Sequence, residues 1–407
     1  MRGHFAGINS IKSGAGNRNG STAAGLPDGR SRRLQAIARL GALLACALLP
    51  AALAQGVTDT EILLGQTAGF TGPVADISSE STAGARLYFD WINAQGGVNG
   101  RKIVLESRDD RFNPKQAAEN VKAMIETRPP IAFIITRGTP QTEAVLPALK
   151  AAGIPLIAPG TGAEIFHQPV NPLVFNLRAK NRVEIAKAVE HMASTGINRI
   201  ALIHVNDSFG ADSLAGFGEK MGELKLTPVL VTSFDRTTGD TAAAIAALGK
   251  ANPQVAFVVG STAHISGLIN KARAAGIGTQ FVTMSNNSAK GFVKALGANA
   301  RGVMVVQGMP NPRSSRPIAR EMARLAKDQK DFVSSQPAIE GFAAAKLTVE
   351  ALRRAGKKPT PRGLIDALES MKDVDLGGIE INYSRTSHTG GDLAEMSIID
   401  ARGEFLQ

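Results

Sequence analysis

With 407 residues the chain is too long for one ordinary domain and suits two of common size. Its formal charge of +11 suggests a nucleic-acid partner, but seven of the 46 basic residues and one of the 35 acidic ones lie in the first 54 positions, leaving 39 against 34 interspersed over the rest, a balance that argues against nucleic-acid binding. The one cysteine, Cys46, excludes disulfide, thiolate and cysteine-metal chemistry from everything after it, and a hydrophobic content of 43% with aromatics at 5% points to close helix-on-sheet packing.

Arg30, Arg32, Arg33 and Arg39 precede the apolar run Leu40–Leu53, which ends in Ala52-Leu53-Ala54. A basic segment, a short apolar segment and an A-x-A site describe a secretory signal peptide over residues 1–54, cut before Gln55, so the expected location is the periplasm. The run is too short to span a bilayer comfortably. The leader is longer than usual: either the true start lies downstream of Met1 or Arg32-Arg33 signals export of a folded chain. Leu43-Leu44-Ala45-Cys46 is a loose lipobox, the alternative that would make this a lipoprotein, but Ala47–Ala54 is too apolar for a polar tether.

Beyond the leader the pattern alternates strand and helix. The apolar run Ile62–Leu64 reads as a strand, Gly65–Glu80 as a loop, and from Ser81 onward Gly84, Leu87, Tyr88, Trp91 and Ile92 share one helix face until Gly96 and Gly97 stop it. A second strand, Lys102–Glu106, follows. Asn113 and Pro114 supply an N-cap and first position for the next helix, with Ala118, Val121, Met124 and Ile125 inward. The strand Ile131–Ile135 ends in the loop Thr136–Pro140, and the strand Ile154–Ile157 ends in Ala158–Ala163. Three polar, glycine-containing loops therefore fall at strand carboxyl ends on one edge of one parallel sheet, where ligands bind in open α/β sheets.

A second series starts with a helix over Arg182–Ser194 and a strand over Arg199–Val205, followed by the loop Asn206–Gly210. Its later strands are Thr227–Ser233, Val255–Val259, Gln280–Thr283 and Gly302–Val306, with helices between them, so a second parallel sheet is predicted. After Val306–Pro312 come helices over Arg316–Gln329, Pro337–Arg354 and Thr360–Met371, then short strands in Gly377–Leu406.

Several motifs lie in order along about 350 residues: G-x-x-x-x-x-T-G-P-V-A from Gly65, R-L-Y-F-D-W-I-N-A-Q-G-G-V-N-G-R from Arg86 through Arg101, and D-D-R-F-N-P-K-Q-A at Asp109–Ala117. In these the chain resembles the type I periplasmic binding proteins, and within them the branched-chain amino-acid group that feeds ABC importers. The resemblance implies an α/β fold of two doubly wound parallel-sheet lobes joined by three crossovers. The first crossover falls at Val174–Arg178, the return at Val306–Pro312 and the third near Asn382–Arg385. Lobe I would hold residues 55–178 and 309–382, and lobe II residues 179–308 and 383–407. It also implies a monomeric solute receptor that closes as a hinge and delivers its ligand to an ABC permease in the inner membrane.

The resemblance places Thr139, Gly160, Thr161 and Gly162 where a ligand carboxylate is gripped, and hydroxyls and N–H groups at helix N-termini suit an anion. On residue type alone they are equally ordinary turn residues. Arg137 beside them either adds a bidentate carboxylate contact or stands as a solvated rim residue. Asp207 and Phe209 sit in the D-x-F-G loop that in this family sets an aromatic ring against the ligand. Thr262 and Ser285 stand where amino-acid binders usually carry an aromatic and an acid that pairs with the ligand ammonium, and Ile77 stands where a large aromatic is often found. Ser285 cannot make that ion pair. Either Asp207 takes over the ammonium, or the ligand has none.

Competing chemistries lack their residues. Gly69–Pro73 reads G-x-x-G-P, without G-x-G-x-x-G or a G-K-[ST] ending, so no nucleotide or other cofactor is expected. The six histidines are scattered, His204 reads as a core histidine, and Asp109-Asp110 has no third carboxylate at fixed spacing, so no metal is expected. Ser208 and Ser261 lack a nucleophile elbow, so no catalytic residue is assigned. An α/β enzyme and a receptor-coupled sensor remain the rival classes; turnover of a bound ligand would favour the first, and genomic neighbours other than permease and ATPase subunits the second. N-terminal sequencing of exported protein should give a start at or near Gln55; a diacylated Cys46 at the N-terminus would contradict it.

Overall fold

The computed structural model describes residues 55–407; the expected leader, Cys46 included, lies outside the described residues. Five parallel strands form the first sheet, with helices between them: β1 (Glu61–Ala68), α1 (Ala75–Ala94), β2 (Lys102–Asp109), α2 (Pro114–Thr127), β3 (Ala132–Ile134), α3 (Thr139–Ala152), β4 (Leu156–Ile157) and β5 (Val174–Phe175). Their spatial order is β2-β1-β3-β4-β5. β1 is buried at every position after Glu61, as a strand covered on both faces must be. Asn113 caps α2 as its sequence suggests, its side chain accepting from the Lys115 and Gln116 amides at 2.9 and 3.2 Å.

The loop expected over Gly65–Glu80 shrinks to Gly69–Val74. Gly65–Ala68 continue β1 in register with Glu106–Asp109, and α1 starts at Ala75. The polar residues there are buried and paired: Gln66 Nε2 donates to Thr82 Oγ1 at 3.0 Å, and Thr67 Oγ1 to Asp110 Oδ2 at 3.1 Å. Their composition looks like a loop, but their hydrogen bonds are those of a core.

After the first crossover the chain builds a second sheet from α4 (Asn181–Ser194), β6 (Ile200–Val205), α5 (Ser208–Glu223), β7 (Leu230–Phe234), α6 (Ala242–Ala251), β8 (Val255–Val259), α7 (Thr262–Ala274), β9 (Gln280–Thr283), α8 (Lys290–Leu296) and β10 (Met304–Gln307). The chain then returns to cover the first sheet with α9 (Pro317–Leu325), α10 (Gln336–Arg354) and α11 (Pro361–Glu369), forms the hairpin β11 (Val374–Asp375) and β12 (Glu380–Ile381), and ends with β13 (Glu395–Ile399) and β14 (Phe405–Leu406). The second sheet runs β14-β13-β10-β9-β8-β6-β7; β13 and β14 are antiparallel additions at one edge. Among the described residues no helix is long and apolar enough to cross a membrane.

The third crossover lies later than Asn382–Arg385. Tyr383 still packs in the core of the first lobe, and its hydroxyl donates to the Asn176 carbonyl at 2.8 Å. The chain runs alongside the first crossover from His388, whose carbonyl accepts from the Asn176 amide at 2.9 Å, through Thr389, bridged to Asn176, to Gly390 and Gly391, whose amides donate to the Asn176 and Leu177 carbonyls at 2.7 and 2.8 Å. The lobes are closed on one another: the Lys290 amide donates to Glu80 Oε1 at 3.2 Å and the Ala263 amide to the Pro73 carbonyl at 3.3 Å.

α10 is buried along nearly its whole length and packs against α1. Small residues let the two backbones approach: a Cβ on Gly84 would stand 1.9 Å from the Ala338 carbonyl oxygen, and one on Gly341 1.7 Å from that of Ser81. Gly84→Ala and Gly341→Ala should therefore each destabilise the protein by about 1–3 kcal/mol in urea unfolding, the usual range for overpacking. Gly218→Ala, in the exposed face of α5 with nothing within 4 Å of a new Cβ, should instead be neutral or stabilise by up to about 1 kcal/mol.

Candidate functional site

Between the lobes lies a cavity enclosing about 600 Å³ of space free of protein atoms, its mouth included. Its walls come from the carboxyl ends of strands in both sheets. Lobe I contributes Val74 and Ile77 after β1, Phe112 after β2, Arg137–Pro140 after β3, and Gly160 and Thr161 after β4. Lobe II contributes Val205, Asp207 and Phe209 around the end of β6, Arg236 after β7, Ser261 and His264 after β8, and Met284 and Asn286 after β9. Arg178 and Asn181, from the first crossover and the start of α4, close the back.

Of the residues singled out in the sequence, Ile77, Arg137, Thr139, Gly160, Thr161, Asp207 and Phe209 line this cavity, whereas Gly162, Thr262 and Ser285 stand behind it. Gly162 donates its amide to Asn181 Oδ1 at 3.2 Å and accepts from the Asn181 amide at 2.7 Å. Thr262 is buried with its hydroxyl unpartnered, while its neighbour Ser261 reaches the wall. Ser285 is held by Glu184, which accepts from its amide at 3.0 Å and its hydroxyl at 2.8 Å.

The carboxylate grip expected from backbone amides is differently built. The Gly160 amide is spent on the Thr136 carbonyl at 2.5 Å, and the Thr139 and Thr161 hydroxyls bond each other at 2.7 Å. The donors left over are two nitrogens of Arg137 and the one hydroxyl hydrogen that the Thr139–Thr161 bond does not use. Arg137 is 3% exposed, and its Nη2 donates to Glu340 Oε2 at 2.9 Å and to Ser81 Oγ at 3.3 Å, but Nε and Nη1 have no partner in the protein. Gly160 is what lets the guanidinium lie there, since a Cβ at that position would come within 2.6 Å of it. Nε and Nη1 point to different sides of the guanidinium, with Cδ between them, so they are single donors to an anion rather than a fork.

Behind Arg137 runs a buried ion chain. Arg178 Nη1 stands 3.6 Å from Glu340 Oε1, and Arg178 Nη2 2.5 Å from Glu184 Oε1. Burial opposes ionisation of both Glu340 and Arg178. The two arginines nevertheless hold the Glu340 carboxyl below its ordinary range, and Glu184 with Glu340 holds the Arg178 guanidinium above its own. Asp207 is committed as well: Oδ1 caps α5 by accepting from the Gly210 amide at 3.0 Å, and Oδ2 pairs with Arg236 Nη1. Burial, then the Arg236 charge, pushes His264 below the usual histidine range, so it is neutral at neutral pH. Among the described residues no cluster of three or more His, Cys, Asp or Glu is placed to hold a metal.

Sequence reasoning left Phe112, Arg178, Arg236, His264 and Met284 unassigned. Phe112 and Arg178 sit inside quoted motifs, and Arg236 follows a strand end, so the strand-end rule would have reached it. His264 and Met284 carry no local signal.

A family model described as periplasmic binding protein matches residues 61–400. The chain is 25% identical over 336 residues to a leucine-specific-binding protein of Salmonella typhimurium, covering 81% of this chain and 87% of that one. It is 22% identical over 342 residues to Leu/Ile/Val-binding protein homolog 3 of Brucella melitensis, covering 83% and 90%. A solved substrate-binding periplasmic protein from Ralstonia solanacearum superposes with a TM-score of 0.79 at 32% identity, covering 85% of this chain and all of that one.

If Arg137 anchors a carboxylate, Arg137→Lys, which keeps the charge and loses the planar set of donors, should weaken 3-phenylpropanoate binding in calorimetry by about 1.5–3 kcal/mol, roughly ten- to hundred-fold. Arg137→Met should also strip Glu340 of a buried partner and lower stability by about 3–5 kcal/mol in urea unfolding.

Proposed function

The chain belongs to the periplasmic binding protein family and has its type I, two-lobe fold, and from that premise we propose that it captures a small carboxylate lacking an α-amine and presents it to an ABC permease in the inner membrane. The observation that carries this reading is the state of Asp207, the one carboxylate on the cavity wall, which is already neutralised by Arg236. Arg137, also on the wall, carries a positive charge and two nitrogens without a partner in the protein. The wall thus carries an arginine that attracts an anion and, among the described residues, no carboxylate free for an ammonium; the neutral acceptor Asn286 Oδ1 remains, but an ammonium buried without a counter-charge would cost several kcal/mol. Val74, Ile77, Phe112, Phe209 and Met284 suit an aromatic or branched apolar remainder.

A second reading is that the ligand is a branched-chain amino acid, and it rests on the two relatives named for leucine, isoleucine and valine. Matched pairs separate the two. In calorimetry the protein should bind 3-phenylpropanoate at least about tenfold more tightly than L-phenylalanine, or 4-methylpentanoate than L-leucine, since each 1.4 kcal/mol is a factor of ten. A clear preference for the amine-bearing member, lost in Asp207→Asn, would overturn the amine-free reading and leave the family membership intact.

A further inference from the structure

Arg236 does more than line the cavity. It comes from the segment after β7 in lobe II, yet its guanidinium lies 4.3 Å from the ring centroid of Phe112 in lobe I and its Nη2 donates to the Phe112 carbonyl at 3.4 Å. Its Nη1 pairs with Asp207 Oδ2 on its own lobe. The other carboxyl that feels its charge, Asp110, is pushed up to about 7 by burial and is bonded within lobe I to Thr67 and the Phe112 amide. Asp207 is therefore its principal counter-charge. Asp207 itself does not need Arg236 to stay in place, because its other oxygen caps α5 and the helix N-terminus favours its charge. Take the guanidinium away and a carboxylate remains, fixed, facing the cavity.

We infer that Arg236 is a specificity-determining residue: by occupying Asp207 it shields the single wall carboxylate able to pair with a ligand ammonium, and so excludes amino acids from a site whose fold would otherwise accept them. The inference rests on the amine-free reading above and goes further, since it names the group that enforces it. The specificity is built as an occupied counter-charge rather than a missing one.

The test is calorimetry of wild type, Arg236→Gln, Arg236→Lys and the double variant Asp207→Asn/Arg236→Gln against L-phenylalanine, L-leucine and their amine-free counterparts, with thermal melting to show that each is folded. Arg236→Met carries the same test where Arg236→Gln does not fold. L-phenylalanine or L-leucine affinity should rise at least about tenfold in Arg236→Gln, the gain should vanish when Asp207 is also neutralised, and Arg236→Lys, which keeps a charge beside Asp207, should show no such gain. Amino-acid affinity that is unchanged or weaker in Arg236→Gln overturns the inference, whatever the amine-free acids do. Wild-type protein that prefers the amino acid overturns the amine-free reading itself, so the two failures are read from different proteins.

Discussion

The chain of charges Arg137–Glu340–Arg178–Glu184, ending on Ser285, is the constraint on which the rest of the structure depends. Every member is buried, and two cations alternate with two anions, so the set is neutral as a whole although no member would be tolerated alone. It runs from lobe I, through Arg178 in the first crossover, into lobe II at Glu184 on α4 and Ser285 after β9. Each lobe thereby supplies part of the other's counter-charge. At the cavity end Arg137 uses Nη2 on Glu340 and leaves Nε and Nη1 without a partner in the protein. The proposed carboxylate would add a contact to a network that spans the lobes, and a contact made only when the lobes are together would favour closure.

The same chain accounts for what the cavity lacks. Ser285 stands where amino-acid binders usually have an acid, and its amide and hydroxyl are drawn back onto Glu184. The acid is present after a fashion, one shell deeper, but it is spent on Arg178 and cannot meet a ligand. Asp207 is spent on Arg236. Positive charge on Arg137 thus faces a wall whose other polar groups are largely satisfied and whose remaining surface is apolar. Leucine-binding relatives share the fold and most of the chain's length, and a few cavity residues suffice to change the chemistry such a fold accepts.

Much of this was legible from residue order. The limits Val255–Val259 and Gln280–Thr283 follow from short apolar runs between turn signals, and Asn113-Pro114 marks the start of α2 by cap chemistry alone. The strand-end rule located the loops that form the cavity. It could not say which atoms face inward: Gly160 and Gly162 looked like amide donors, and their amides are used internally. Nor could it size the first loop, because Gln66 and Thr67 are polar residues paired inside a core. The ion chain was invisible for a simpler reason. Arg137 and Glu340 are 203 positions apart, and nothing local to either announces the other.

The central claim is that a ligand carboxylate sits against the guanidinium of Arg137 between closed lobes. A crystal structure of the protein with 3-phenylpropanoate tests it most directly. The expected result is a carboxylate oxygen within hydrogen-bond distance of Arg137 Nε or Nη1, the ring among Ile77, Phe112 and Phe209, and the Asp207–Arg236 pair intact. A carboxylate bound elsewhere, with Arg137 Nε and Nη1 left to solvent, would contradict it.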